Sequence, residues 1–505
     1  MRPGGARLHA APNDWAELER ELVALAASGV VEVREDGEWL AELTGLHCEV
    51  HHEGKNPLIH LWSDERNLTR RLLRVKERNP DRILLEVQRF GKSKPGHLEF
   101  LLRDNLRPAG RITREQFRAR FARILAEKFP DSIVDSLTSS PDLEHSFSGL
   151  YVRGVMHEGK HGWALLAAGP SEADSVEDML AFGILWLDWA RNHSEKRGIE
   201  GLRLFVPEGT SRSLRERTLG LSNAAKIELF EMREPDVVIQ RVDAADSGNL
   251  ESYLAPRPEI ENTIATASET AKRIRAMLPR NPAAMTLRVP PQSGAVAFCF
   301  RGVEFARRTH EGVFFGLGKS IERLRDESEP RLRRLLHDLD LYRNPLATDT
   351  KHKLYRSWPE RWLESIVMEE PAKIDALLDP KHFYSQVPAL AAGDRAIPDL
   401  LGVTRHGRLV VIELKASEDI QMPLQALDYW LRVRRHQREG DFQRYGYFAG
   451  VEIDPRPPLI WLVAPAFRFH SAMEILLKYL SPEIQVTRIG LNENWRRGIK
   501  VMLRQ

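Results

Sequence analysis

The chain has 505 residues, 42% of them hydrophobic, and its 74 Lys and Arg nearly balance 72 Asp and Glu for a formal charge of +2. That length exceeds what a single core serves and implies several domains. The balanced charge excludes a globally basic nucleic-acid binder, so any such surface must be local. Cys48 and Cys299 are the only cysteines, which excludes a disulfide framework and fits a reducing compartment.

The first residues, Met1-Arg2-Pro3-Gly4-Gly5-Ala6-Arg7, lack the apolar run of a signal peptide. Apolar spacing at Trp15, Leu18, Leu22 and Leu25 predicts a helix over 12–30. Short strands follow at 45–50 and 58–62, and a basic helix is expected over 67–78. His47, His51 and His52 sit in an ordinary strand-and-turn pattern with no carboxylates to complete a metal site. A helix at 119–125 precedes Pro130, then strands at 150–155 and 163–169, a Trp-rich helix, a strand at 202–207 ending in proline, and a last strand at 227–230. The longest apolar stretch, near 179–190, contains Asp188 and is too short to cross a bilayer. A soluble, cytoplasmic protein without a membrane partner is expected. A polar joint lies near 243–262, where Pro256-Arg257-Pro258 stiffens the chain.

The second half repeats this order. A helix at 261–278, strands at 295–300 and 312–317 and a basic helix at 330–343 lead into a helix at 361–367. An extended segment at 384–388 follows, then strands at 398–403 and 409–415, a helix from Pro423, a proline-ended strand at 460–465 and a last strand at 484–489. Two copies of one core, each preceded by a small α+β unit, account for the recurrence. The expected domains are 1–110 (small α+β), 111–245 (core), 246–345 (small α+β) and 346–505 (core). In the alignment Arg123 faces Glu364, Tyr151 faces Asp399, Ala167 faces Glu413 and Gly169 faces Lys415, so the first copy carries no carboxylate for a metal.

The chemistry lies in the second copy. Ile397-Pro398-Asp399-Leu400 precedes a turn at Arg405-His406-Gly407-Arg408 and then Val410-Val411-Ile412-Glu413-Leu414-Lys415. Side chains alternate along a strand, so Glu413 and Lys415 share a face. Asp399 comes from the preceding strand, and the three converge at one sheet edge as a site for a hard divalent cation with a cationic helper. The pair could instead decorate an exposed edge, but its apolar neighbours argue for a strand buried on both faces.

With Glu364 on the upstream helix and Gln425 and Tyr429 one turn apart on the downstream helix, the pattern resembles the PD-(D/E)xK nuclease superfamily over about residues 350–465. The Gln-x-x-x-Tyr spacing resembles its RecB-like branch, and the Glu-Leu-Lys strand looks like the mismatch- and branch-cutting archaeal-type nucleases of the same group. The resemblance implies an α/β fold with a restriction-endonuclease-like mixed sheet flanked by helices. It also implies a Mg²⁺-dependent deoxyribonuclease, with Mn²⁺ able to substitute. Asp399, Glu413, the Leu414 carbonyl and Glu364 would bind metal, Lys415 would assist the attacking water, and Gln425 and Tyr429 would position substrate. Arg432, Arg434, Arg435 and Arg438 follow on the same helix and are candidates for phosphate contacts. DNA is the expected substrate, with RNA a weaker variant, in repair or in defence against foreign DNA; a protein partner or homo-oligomer is compatible. A non-catalytic nucleic-acid-binding or partner-activated scaffold is the alternative. No phosphate-loop motif is present, so no nucleotide cofactor is expected.

Overall fold

The computed structural model describes residues 15–505 except 29–30, 37, 44–46, 52–56, 63–66, 80, 89–94, 103–113, 136, 143, 195–197, 234–237, 243–251, 255, 258, 279, 291–293, 319, 386, 388 and 392–398. The N-terminal segment, most of the expected joint, and Ile397 and Pro398 of the motif lie outside the described residues. The protein is a mixed α/β chain with several sheets and helices. It divides into two compact units. One is Met1–Tyr253 with Leu390–Ala396 and Glu474–Ser481; the other is Leu254–Ala389, Ile397–Met473 and Pro482–Gln505.

In the first unit, helix α1 (Trp15–Ser28) precedes strands β1 (Val31–Glu35), β2 (Glu38–Glu42), β3 (His47–His51), β4 (Leu58–Trp62), β5 (Asn67–Asn79), β6 (Arg82–Gln88) and β7 (Gly96–Leu102). They form one antiparallel sheet in the order β2-β1-β7-β6-β5-β4-β3. Leu18, Leu22 and Leu25 of α1 pack with Val33, Leu85 and Phe100. Residues 67–78, expected as a basic helix, are strand β5. The spacing of Leu68, Leu72 and Val75 suits a helix, but pairing with β4 on one side and β6 on the other decides the outcome. Arg70 of this run is buried: Nε donates to Glu35 Oε1 at 2.6 Å and Nη2 to Glu35 Oε2 at 2.8 Å.

Helix α2 (Arg114–Lys128) then leads to β8 (Ser132–Val134), β9 (Val152–Glu158), β10 (His161–Ala167), α3 (Met179–His193), β11 (Ile199–Pro207), α4 (Arg212–Thr218), β12 (Ile227–Arg233) and β13 (Val238–Val242). The sheet order is β13-β12-β11-β10-β9-β8. From β8 onward its pairs run antiparallel, antiparallel, parallel, parallel, antiparallel. Phe117, Phe121 and Leu125 of α2 fill one face against Val152, Leu165 and Phe205. A short strand, β14 (Ser252–Leu254), comes next.

In the second unit, helices α5 (Ile260–Thr266) and α6 (Ser268–Arg275) precede an antiparallel meander of β15 (Met285–Arg288), β16 (Val296–Phe300), β17 (Val303–Thr309), β18 (Gly312–Leu317) and β19 (Ser320–Arg323). Helix α7 (Glu329–Tyr342) covers it through Leu332, Leu336 and Leu339, one turn apart. In chain order there follow α8 (Lys353–Arg356), α9 (Pro359–Glu369), β20 (Leu378–Ser385), the short β21 (Ala389–Ala391), β22 (Leu400–Thr404), β23 (Leu409–Leu414), α10 (Met422–Glu439), α11 (Asp441–Arg444), β24 (Leu459–Pro465), α12 (Met473–Lys478), β25 (Gln485–Leu491) and β26 (Val501–Arg504), of which Leu390–Ala391 in β21 and Glu474–Lys478 in α12 count with the first unit. The sheet order is β20-β22-β23-β24-β25-β26. Its pairing senses, from β20, repeat those of the first unit's six-stranded sheet.

This sheet is covered on both faces. Trp362, Leu363 and Val367 of α9 pack against Leu400, Val410, Ile412 and Leu414. Val433 of α10 and Phe442 of α11 pack against Leu401, Val403, Leu409 and Val411. Every residue of β22 and β23 except the polar Thr404 and Glu413 is apolar or glycine, as a strand buried on both sides requires. Gly407 makes the turn between them at φ +81, and a Cβ there would lie 2.1 Å from the Glu452 carbonyl oxygen.

The two six-stranded sheets fix a register between the cores. Ala168 N–H donates to Phe205 O two residues before Pro207, and Lys415 N–H donates to Val463 O two residues before Pro465. Gly154 pairs with Leu165 as Leu400 pairs with Ile412. Counting from these pairs sets Arg153 opposite Asp399, Leu166 opposite Glu413 and Ala168 opposite Lys415. The sequence alignment differs from this register by two residues on the first strand and by one on the second. The corrected positions still hold no carboxylate.

Candidate active site

Alternation puts Asp399 with Leu401 and Val403, and Glu413 and Lys415 with Leu409 and Val411, on the α10 face of the sheet. The Leu414 N–H donates to Asp399 Oδ2 at 2.9 Å, which ties the first strand's acid to the second strand. The Leu414 carbonyl is the expected metal ligand, and the amide of the same residue is what holds Asp399. Lys415 Nζ lies 3.1 Å from Glu413 Oε1 and 3.1 Å from Asp419 Oδ2. Glu413 is 2% exposed. Its Oε2 is buried without a hydrogen-bond partner among the described residues, and so is Gln425 Oε1.

The electrostatics follow from this crowding. Burial pushes the Asp399 carboxyl up to about 6, and the charge of Glu364 adds to the push against the Leu414 amide, Lys415 and Arg361. Glu413 is raised well above the carboxylate range by burial and by Asp399, with Lys415 pulling the other way. Burial works against the Lys415 ammonium, but Glu413 and Asp419 outweigh it and hold it protonated. The Tyr429 hydroxyl is raised by burial and then by the charges of Glu413 and Asp399, so α10 brings Tyr429 to the same cluster.

Glu413, buried, and Asp399, half-buried, are both held above the usual carboxylate range, and Glu413 keeps an orphaned oxygen despite Lys415. Hard oxygen donors of this kind suit Mg²⁺ or Mn²⁺. Asp399 and Glu413 therefore fit a divalent ion.

Glu364, expected in the metal shell, is held by two arginines and a serine. It is 3% exposed. Its Oε1 accepts from Arg288 Nη2 at 3.2 Å and from the Ser385 hydroxyl, and its Oε2 accepts from Arg361 Nη1 at 3.1 Å. Its charge still reaches Asp399. The sequence reading missed Arg288, Arg361, Ser385 and Asp419. Asp419, four residues past Lys415, was the one with a local signal.

The arginines of α10 are not equivalent. Arg432 is buried, and its Nη1 donates to the Asp428 carbonyl at 3.0 Å, so it does not form part of a phosphate-facing surface. Arg434 Nη1 donates to Gln437 Oε1 at 2.9 Å and to Pro455 O at 2.8 Å. Arg435 Nε donates to Glu439 Oε1 at 3.0 Å. Arg438 is exposed. Further along, His436, Glu439 and Asp441 gather ligand-type atoms within 4.8 Å. They are tied up by His436 Nδ1–Asp441 Oδ2 contact at 2.8 Å and by Arg444 and Arg435, an ion-pair network at a helix end.

No helix among the described residues is long and apolar enough to cross a membrane. No protein-family model matches the chain, and no curated protein is found similar to it. Among solved structures it is similar to the crystal structure of a repair endonuclease from Pyrococcus abyssi, at 12% identity and a TM-score of 0.15, over 44% of this chain and 97% of that one.

Proposed function

We propose that the chain is a metal-dependent nuclease hydrolysing phosphodiester bonds of DNA, with a restriction-endonuclease-like core of the PD-(D/E)xK type in its C-terminal part. The observation that carries this reading is the meeting of Asp399, Glu413 and Lys415 on adjacent antiparallel strands, with Glu413 Oε2 buried and unsatisfied. Asp399 and Glu413 would hold Mg²⁺, or Mn²⁺ in its place. A bound ion of this kind supplies an activated water and polarises the phosphoryl oxygen. Lys415 presents its ammonium where negative charge develops, and Asp419 keeps it aimed. Gln425 offers a buried amide oxygen that can accept from the attacking water, while its NH2 group can donate to the substrate backbone. Tyr429 supports that wall of the site.

The identical strand order and pairing senses of the two six-stranded sheets support an internal duplication. The first copy is then a pseudonuclease, with Arg153, Leu166 and Ala168 where the second has Asp399, Glu413 and Lys415. DNA repair and defence against foreign DNA both suit the chemistry.

Cleavage of circular single-stranded and linear duplex DNA with Mg²⁺ or Mn²⁺ tests the reading, beside Glu413→Ala and Lys415→Ala. Metal-dependent cutting lost in both variants is the expected result. Cutting that survives in both would move the active site elsewhere.

A further inference from the structure

The strand beside the Glu413 strand ends at the candidate site and then turns sharply. β24 pairs in parallel with β23, Glu413 with Leu462 and Leu414 with Val463. The Lys415 N–H donates to Val463 O, so β24 reaches its last residue, Pro465, at the sheet edge that holds Asp399, Glu413 and Lys415. There Ala466 N–H donates to Leu491 O and Arg468 N–H to Pro465 O, each at 2.8 Å, closing a turn over Pro465-Ala466-Phe467-Arg468. Glu493 holds the turn: Oε1 accepts from the Phe467 N–H at 3.4 Å, and Oε2 lies 3.7 Å from Arg468 Nε. Phe467 is 82% exposed.

The chain leaves β24 on the reacting side of the sheet. β23, β24 and β25 are adjacent and parallel, so the two connections between them advance in the same direction. Right-handed crossovers of that kind pass over one face, and α10 marks it as the face of Asp399, Glu413 and Lys415. Ligands of open α/β sheets bind outside the carboxyl ends of the parallel strands. Phe467 is three residues beyond Ala464, the residue in register with Lys415, so the chain between them spans about 11 Å at most.

The first six-stranded sheet supplies the comparison. Its β11 ends at Pro207, where Glu208 N–H donates to Met232 O and Thr210 N–H to Pro207 O. These bonds match those of Ala466 and Arg468, so Gly209, at φ +80, stands where the second core has Phe467. A lone exposed phenyl is ordinary on a protein surface. This one sits on a pinned turn at the edge of the core that carries the carboxylates, and the core without them has no side chain at that place. A ring there gains from a planar π-surface, and a nucleobase not covered by its neighbours presents one beside each phosphate.

We propose that the Phe467 ring stacks on an unpaired base beside the scissile phosphate, which makes single-stranded or locally opened nucleic acid the substrate class of this site. This rests on the nuclease reading. Closed duplex hides its base faces within the stack and offers the ring nothing until a step is opened.

The test is equilibrium binding of fluorescent single-stranded oligothymidylate and of a relaxed, covalently closed duplex circle to the full chain in Ca²⁺ and in EDTA, with thermal unfolding alongside. Phe467→Ala should weaken single-strand binding about tenfold and leave binding of the circle within about twofold. The dependence of affinity on salt should not change, because no charge is lost. The melting temperature should hold, because the ring is exposed, and Phe467→Trp should bind at least as well as the wild type. Undiminished single-strand affinity in Phe467→Ala, an equal loss on both DNAs, or a Phe467→Trp as weak as the alanine variant would overturn the stacking, even if the wild type cuts DNA. A wild type that binds with the expected ring dependence but never cuts would support the stacking and defeat the nuclease reading alone. A wild type that neither binds nor cuts would defeat both.

Discussion

Lys415 Nζ stands 3.1 Å from both Glu413 Oε1 and Asp419 Oδ2, so one ammonium is held between an acid on its own strand and an acid beyond the strand's end. That cation fully offsets neither Asp399 nor Glu413. Asp399 and Glu413 remain raised despite it. The site stores an electrostatic cost that a divalent ion would relieve.

Metal-free stability should therefore depend on pH through Asp399. Its folded value, about 6, lies above the unfolded value of about 3.9. The folded state binds the proton more tightly, so stability is greatest below about pH 4 and falls as pH rises through 6. Asp399→Asn removes the buried charge. It should raise the metal-free unfolding free energy at pH 8 by about 1–3 kcal/mol and change it little at pH 4. Denaturant melts at the two pH values read this directly; equal effects at both would remove Asp399 as the titrating group.

The same two acids set the response to metal. Mg²⁺ or Mn²⁺ at about a hundred times its dissociation constant should stabilise the wild type by about 2.7 kcal/mol. The double variant Asp399→Asn with Glu413→Gln should show no such shift. A shift that persists in the double variant would point to the His436, Glu439 and Asp441 cluster instead.

Lys415→Met should lower cleavage by about a hundredfold or more while leaving the metal-induced thermal shift in place, since it removes charge stabilisation but neither proposed ligand. Lys415→Arg keeps the charge but replaces a compact ammonium with a planar fork, and should recover only part of the rate. Single-turnover cleavage separates these outcomes from binding losses.

How much of this was legible in sequence follows from chain distance. Asp399, Glu413 and Lys415 lie on one hairpin, and period-two alternation suffices to bring them together. Arg288 reaches Glu364 across 76 residues through the docking of a sheet edge, for which no local pattern exists. Residues 67–78 were misread because Leu68, Leu72 and Val75 satisfy a helical spacing, while the strand is set by partners on both sides. The arginines of α10 looked alike as a run, yet helical geometry turns Arg432 inward and Arg438 outward.

Arg343 supports the wall behind the site and gives a stability prediction. It is fully buried at the end of α7. Its guanidinium donates to the carbonyls of Arg301, Leu354, Ser357 and Trp358 and lies 4.8 Å from the Trp362 ring centroid. Burial, with the charges of Arg496 and Arg301, draws it down to about 9. Arg343→Met fills the volume but leaves those carbonyls unpaired, and should cost about 3–5 kcal/mol. Because Trp362 sits on α9 beside Leu363 and Glu364, cleavage should fall as well, through a loosened helix rather than lost chemistry.

The opposite pattern is expected at Arg203 in the first six-stranded sheet. Its guanidinium donates to Glu158 at 2.6 and 3.0 Å and to Glu228 at 2.7 Å, and it lies over the Trp163 ring at 4.3 Å. Arg203→Ala takes one of two arginines from Glu228, a mostly buried acid that keeps Arg241 Nη2 at 3.0 Å, and removes a stacked cation. The expected cost is about 2–4 kcal/mol, discounted because Glu158 keeps about a third of its exposure. If this core is a pseudonuclease, the loss belongs to folding alone. The cleavage rate per folded molecule, measured well below the lowered unfolding midpoint, should stay within about twofold of wild type. A large fall in that rate with the fold intact would give the first core a direct part in catalysis, and the pseudonuclease assignment would fail on that result.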